Sequence, residues 1–211
     1  MPSTVRSAMS TKPRVVMLLG ACIIALAIGS TDATAADRAV IEVQSLSASL
    51  LKSMRAGRSE SMTERYRDLK PVIDEVFALP LMTRLSVGPS WARFSPQQQQ
   101  ALVKAFSRFT IANYAHNFRS FDGEKFQVDE KVVRRGPEEV VRAQLIPAND
   151  TPANLLYLME KVDGLWRVVD VYYNGISQLA LHRADFASAI GSGGAPVLIA
   201  HLNKVSDDLM K

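Results

Sequence analysis

From residue 37 onward the apolar positions recur at helical spacing: Val40, Ile41, Val43, Leu46, Leu50, Leu51 and Met54 predict a helix over 37–54, ended near Gly57. Ser61, followed three residues later by Glu64, is a capping box opening a second helix, which Pro71 should divide before Val72, Ile73, Val76 and Phe77 form an apolar stripe. Short helical segments continue to Val87, and Gly88-Pro89-Ser90 breaks them. Ser95-Pro96-Gln97-Gln98 then supplies a cap, a proline at the first helical position and a capping-box glutamine. The helix opened there, Pro96 to about Phe121, spreads Leu102, Val103, Phe106, Phe109, Ile111, Tyr114, Phe118 and Phe121 over more than half its circumference. So wide a face must touch more than one surface. Either the helix is wedged between other elements of the core, or it also lines an apolar cavity; spacing alone leans slightly to the first.

Beyond Gly123 the period becomes extended, and the runs 125–134, 139–146, 154–162 and 165–173 predict four strands. Asp163-Gly164 is a tight-hairpin signal between the last two, and Arg135-Gly136-Pro137 joins the first two, so an antiparallel meander is the simplest topology. Strict alternation in the last strand sets Arg167, Val169, Val171 and Tyr173 against Trp166, Val168, Asp170 and Tyr172, and neither face is plainly solvent-facing. Helical spacing returns over 176–190, Gly191-Ser192-Gly193-Gly194 interrupts it as a hinge, and a last helix spans 197–210. Helices first and strands later predict an α+β domain: an antiparallel, curved sheet of about four strands, covered on one face by a helical layer, with an apolar pocket between them.

The 211 residues, 47% apolar and 22% charged, suffice for one domain with a real core. Arg6, Lys12 and Arg14 precede the apolar run Val15 to Gly29, and Ala33-Thr34-Ala35 follows, so residues 1–35 read as a cleaved signal peptide and 36–211 as the secreted domain. The run is shorter than the roughly 20 residues a spanning helix needs. Cys22, the only cysteine, falls inside that signal; cleavage at Leu19-Gly20-Ala21-Cys22, a lipoprotein-like box, would leave an apolar mature end. The processed chain would hold no cysteine, and hence no disulfide, thiolate nucleophile or cysteine-bound metal. Without Arg6, Lys12, Arg14 and Asp32 there remain 22 basic and 20 acidic residues, a balance that gives nucleic acid no purchase.

Catalytic constellations are scarce. His116, His182 and His201 are scattered, no HExxH, GxSxG or phosphate-binding glycine loop occurs, and no metal or cofactor site is predicted. Asp170, among Val168, Val169 and Val171, would be a general base if buried and free, or a structural carboxylate accepting hydrogen bonds; the lack of a partner acid or histidine nearby favours structure. Trp91 and Trp166 read as core residues that could also face a ligand.

Several stretches, taken in order, resemble one family. They are Leu81-Met82-Thr83-Arg84-Leu85-Ser86-Val87-Gly88 with Trp91, Phe106 through Tyr114-Ala115 to Asn117-Phe118, Asp122-Gly123-Glu124 with Phe126, Trp166-Arg167-Val168-Val169-Asp170-Val171, and Gly175-Ile176-Ser177 before Arg183, Asp185 and Phe186. Over nearly the whole mature chain this resembles the MlaC-type toluene-tolerance family, and Leu179 to Phe186, with Phe77, Leu79, Leu81 and Met82, is most similar to its hopanoid-associated HpnM branch. The resemblance implies a periplasmic, monomeric, non-enzymatic carrier of phospholipid or hopanoid. It would serve an ABC-type system, between an inner-membrane transporter complex and an outer-membrane lipoprotein complex. The lining expected from face and pattern is Val141, Leu145, Leu156, Leu158, Val169, Val171 and Tyr173 from the sheet, with Phe77, Leu85, Trp91, Phe106 and Tyr114 from the helices. Two other readings remain: a small-pocket enzyme with Asp170 as base beside a donor such as Tyr114, and a structural adaptor of a membrane complex.

Overall fold

Helix α1 (Ala35–Ala56) buries Val43, Leu46 and Leu50 completely along one stripe, while Ile41, predicted to lie on it, is more than half exposed. The computed structural model describes residues 35–211, with side chains from Arg38 on; the predicted signal, save its last residue Ala35, and Cys22 lie outside the described residues. α2 (Met62–Val76) opens on the expected capping box, Ser61 Oγ accepting from the Glu64 amide while the Glu64 carboxylate accepts from the Ser61 amide. Pro71 does not divide it. The proline sits on the exposed face, where it forfeits one backbone hydrogen bond, and buried Leu69, Val72, Ile73 and Val76 hold the turns on either side to the core.

α3 (Leu79–Val87) leads into a 3-10 turn over Gly88–Arg93, and Ser95 caps α4 (Pro96–Asn117) with Gln98 completing a second capping box. α4 ends four residues before the predicted Phe121. Arg65 of α2, 1% exposed, ties these helices together: its guanidinium donates to the carbonyls of Ser53, Gly57 (2.6 Å) and Phe118 (3.3 Å) and to Ser53 Oγ (2.7 Å), and Glu60 lies 3.4 Å away. A buried cation is tolerable only with such partners.

The predicted first strand is two short ones, β1 (Lys125–Val128) and β2 (Val133–Arg135), both antiparallel to β3 (Glu138–Ile146). β4 (Ala153–Val162) and β5 (Leu165–Tyr173) continue the meander, and β6 (Ile176–Ser177), predicted as helix, adds a sixth strand at the edge. Asp163 (φ 52°) and Gly164 (φ 80°) form the β4–β5 turn, and Asn174 (φ 47°) with Gly175 (φ 84°) repeats that geometry between β5 and β6. α5 (Gln178–Leu209) is two helical segments across a break at Gly193 and Gly194, inside the predicted hinge.

The fold is therefore α+β, helices over one face of an open, curved antiparallel sheet. α1 lies along β1, β3 and β5, and α3 meets β5; α4 packs instead on α2, α3 and α5. The amide of Ala78 donates to the Val168 carbonyl at 2.9 Å and clamps the α2–α3 junction onto β5.

Candidate binding cavity

Because α4 stands off from the sheet, a space of about 440 Å³ remains between them, open at one side. The volume falls in the range of small-ligand sites. One wall is a single stripe of α4 at helical spacing: Phe106, Phe109 and Thr110, then Asn113, Tyr114, Asn117 and Phe118 one and two turns on. The floor comes from the sheet. Register places Val141 opposite Tyr157 and Tyr157 opposite Val171, with Leu155 opposite Tyr173 one rung further out. Tyr157, Val171, Leu155, Tyr173 and Leu145 line the space; Phe77 and Met82 close its inner end, and Gln178 and His182 of α5 its side.

Six of the residues expected at a lining are thus brought together: Phe77, Phe106, Tyr114, Leu145, Val171 and Tyr173. Six are not. Leu156 and Leu158 lie on the opposite, outer face of β4, since side chains alternate and Leu155 and Tyr157 take the inner one. Val169 is consumed by a β-bulge: Leu158 pairs with Asp170 and Met159 with Val168, leaving Val169 unpaired. The bulge also shifts the alternation of β5, so that Val168 and Trp166 join the core with Val171 instead of opposing it. Val141 has the right face but sits fully buried beneath the floor. Leu85 and Trp91 do not line the space. The Leu85 carbonyl accepts from Arg183 Nε and Nη2 (3.1 and 3.0 Å), and the Trp91 carbonyl from Gln99 Nε2 (2.9 Å).

Of the lining residues not foreseen, Phe109 and Phe118 were legible on the wide α4 face, and Asn113 and Asn117 as its polar border. His182 was not: its ring stacks on Phe186 (centroids 5.6 Å apart) and meets Phe106 and Phe109 edge-on (5.7 and 5.4 Å), and only the return of α5 makes those contacts. Burial lowers its pKa, partly opposed by Asp185 and Asp170, so it stands neutral at pH 7. Burial pushes the Tyr114 phenol well above its ordinary range, with Tyr157 nearby adding to the effect, and raises Tyr157 likewise. Both are neutral hydroxyls. No Lys, Arg, Asp or Glu occurs among the described lining residues, so the site offers apolar surface and uncharged hydrogen-bonding groups.

Asp170 is buried but not free. Its carboxylate accepts from Ser177 Oγ (2.6 Å) and the Leu179 amide (3.0 Å) while Ser177 Oγ accepts from Ala180 N (2.9 Å), so the pair caps the start of α5. Among the described residues no cluster of His, Cys, Asp or Glu could hold a metal, and no helix is long and apolar enough to cross a membrane.

Residues 44–204, about three quarters of the sequence, match the model of the MlaC protein family. The chain belongs to that family. As a member of the MlaC family it is 26% identical over 100 residues to the toluene tolerance protein ttg2D of Pseudomonas putida, a match spanning 47% of this chain and 46% of that relative. Less than half of the relative's length is therefore covered. A solved structure of a phospholipid-binding protein from Ralstonia solanacearum, in complex with a phospholipid, superimposes with a TM-score of 0.71 at 21% identity, over 82% of this chain and 99% of that one. The MlaC-family fold is thus shared at low sequence identity.

Proposed function

We propose that this protein is a periplasmic lipid carrier that shuttles phospholipid or hopanoid between the inner and outer membranes as the soluble component of an ABC-type transport system. The observation that carries the reading is the cavity itself: an open, mainly apolar space between α4 and the sheet whose polar groups are all neutral. Family membership supports it, and so does the fold shared with a protein described as phospholipid-binding. A diacyl lipid carries on the order of 30 methylenes at ~0.8 kcal/mol each, so its unassisted passage through water would cost more than ~20 kcal/mol. A chamber that encloses hydrocarbon lowers that barrier without catalysis. The hopanoid alternative rests on the likeness of Leu179 to Phe186 to the HpnM branch, and docking on an inner-membrane transporter complex and an outer-membrane lipoprotein complex rests on the family resemblance. The enzyme reading loses its base, because Asp170 is engaged at the α5 cap and does not line the cavity.

Protein purified from its native envelope without denaturant should yield, on organic extraction and mass spectrometry, close to one lipid per molecule; a folded, lipid-free preparation would sink the carrier reading. In the same material, N-terminal peptide mapping should find a chain starting at or near Ala36. An intact Met1 or a lipidated Cys22 would refute the signal-peptide assignment.

A further inference from the structure

We infer that Tyr114 and Tyr157 are the polar anchor of the cavity: their hydroxyls, one from the α4 wall and one from the sheet floor, donate to an oxygen carried by the lipid's hydrocarbon part, an ester carbonyl or a hydroxyl. The inference rests on the lipid-binding reading above and deepens it. Most polar side chains of the lining are already engaged. Thr110 Oγ1 donates to the Phe106 carbonyl (3.0 Å), Asn117 Nδ2 to Asn113 Oδ1 (2.9 Å) and Gln178 Nε2 to the Ile176 carbonyl (3.3 Å). Tyr173 is 48% exposed and the His182 ring half-buried, so water reaches both.

Among the described residues the Tyr114 and Tyr157 hydroxyls have no hydrogen-bond partner, and neither is sealed inside the protein as the Trp166 indole N–H is. Both therefore open onto the cavity. Tyr157 is near enough to contribute to the raised pKa of Tyr114, so the two phenols form one polar spot in a mainly apolar space. The rings that carry them are fixed. Tyr157 belongs to β4, hydrogen-bonded to β3 on one side and β5 on the other, while Tyr114 meets Phe77 (5.4 Å) and stacks on Phe118 (5.7 Å). Hydrocarbon entering the cavity displaces the water that would otherwise accept from these hydroxyls. A phenol desolvated without an acceptor is costly, whereas an acceptor supplied by the ligand gives a hydrogen bond strengthened by its low-dielectric surroundings. Apolar contact is non-directional and lets a tail sit at many depths; the phenol pair fixes one.

The test compares lipids that differ in one oxygen function. The protein is exchanged against detergent micelles holding equimolar dipalmitoyl phosphatidylcholine and its dihexadecyl ether analogue, which keeps headgroup and tails but lacks the carbonyls. A second mixture holds ricinoleic and oleic acid, which differ by an in-chain hydroxyl. Native mass spectrometry reads which member of each pair is bound. The parent should favour the ester if the anchored oxygen is a carbonyl, or ricinoleic acid if it is a hydroxyl, by about tenfold. The combined variant Tyr114→Phe with Tyr157→Phe keeps both rings and should bring the favoured pair to parity. A parent indifferent to both pairs overturns the inference, as does a variant with the parent's circular dichroism spectrum and an undiminished preference. Failure of the parent to bind any of these lipids would instead remove the lipid-binding reading itself.

Discussion

Val171 stands opposite Tyr157 on the cavity floor and is 7% exposed, so a carboxylate placed there would be dry and unpaired. An uncompensated charge in such a site costs several kcal/mol. Val171→Asp should accordingly lose most recoverable lipid, read per mole of protein that keeps its circular dichroism spectrum; unchanged lipid would show that this strand face is not the lining. Asp170, the next residue back, answers differently because its carboxylate caps α5. Asp170→Asn should retain lipid while losing about 1 kcal/mol of stability in urea unfolding, the usual worth of a cap. Abolition of a measured turnover with ligand binding intact would revive the enzyme. These adjacent residues also mark the limit of reading a strand by parity. Alternation put Val169 and Val171 on one face, whereas only Val171 faces the cavity, and the difference is the bulge at Val169 itself, left unpaired between Val168 and Asp170.

Among elements, the helix caps were the most legible: both capping boxes form as their four-residue patterns require, because a cap is a local arrangement satisfied within one turn. The break in α5 was legible in composition and in position, though not to the residue. Of Gly191, Gly193 and Gly194, only the last two leave the helix, and Gly194 alone takes a positive φ of 72° with ψ −151°, a region essentially reserved for glycine. Gly194→Ala should therefore destabilise by ~1–3 kcal/mol although a Cβ there meets only Phe94 at an ordinary 3.8 Å. Gly191→Ala, in helix with open space around it, should stabilise by up to ~1 kcal/mol. Paired chemical denaturation curves check both, and equal effects would place the hinge elsewhere. Pro71 and β6 misled in opposite directions. A proline on an exposed helix face is outweighed by packing on either side, and a two-residue strand carries too little periodicity to be seen.

For the molecule as a whole, His182 is a buried group through which pH acts near neutrality. Its folded-state pKa is lowered by burial, so between the unfolded value of about 6.5 and that depressed value the unfolded chain binds the extra proton. Stability should be complete above pH 6.5 and fall as the pH drops through this window. His182→Phe, which keeps a ring in the Phe106–Phe109–Phe186 cluster, should flatten the fall between pH 7.5 and 5; an identical decline in parent and variant would assign it to other groups.

The sequence by itself determined where helices cap, where the β4–β5 hairpin turns, that helices precede an antiparallel sheet, and which stripe of α4 is too wide for one neighbour. Each of these is written in residues adjacent along the chain or one turn apart. Only the tertiary structure decided that the stripe faces a cavity, that Tyr157 and Leu155 look inward in place of Leu156 and Leu158, and that His182 closes the side. Those outcomes depend on register, on one bulge and on the return of α5, which bring together residues far apart in sequence. Local periodicity does not record how far α4 stands from the sheet, because that gap is set by what α1, α2, α3 and α5 pack against.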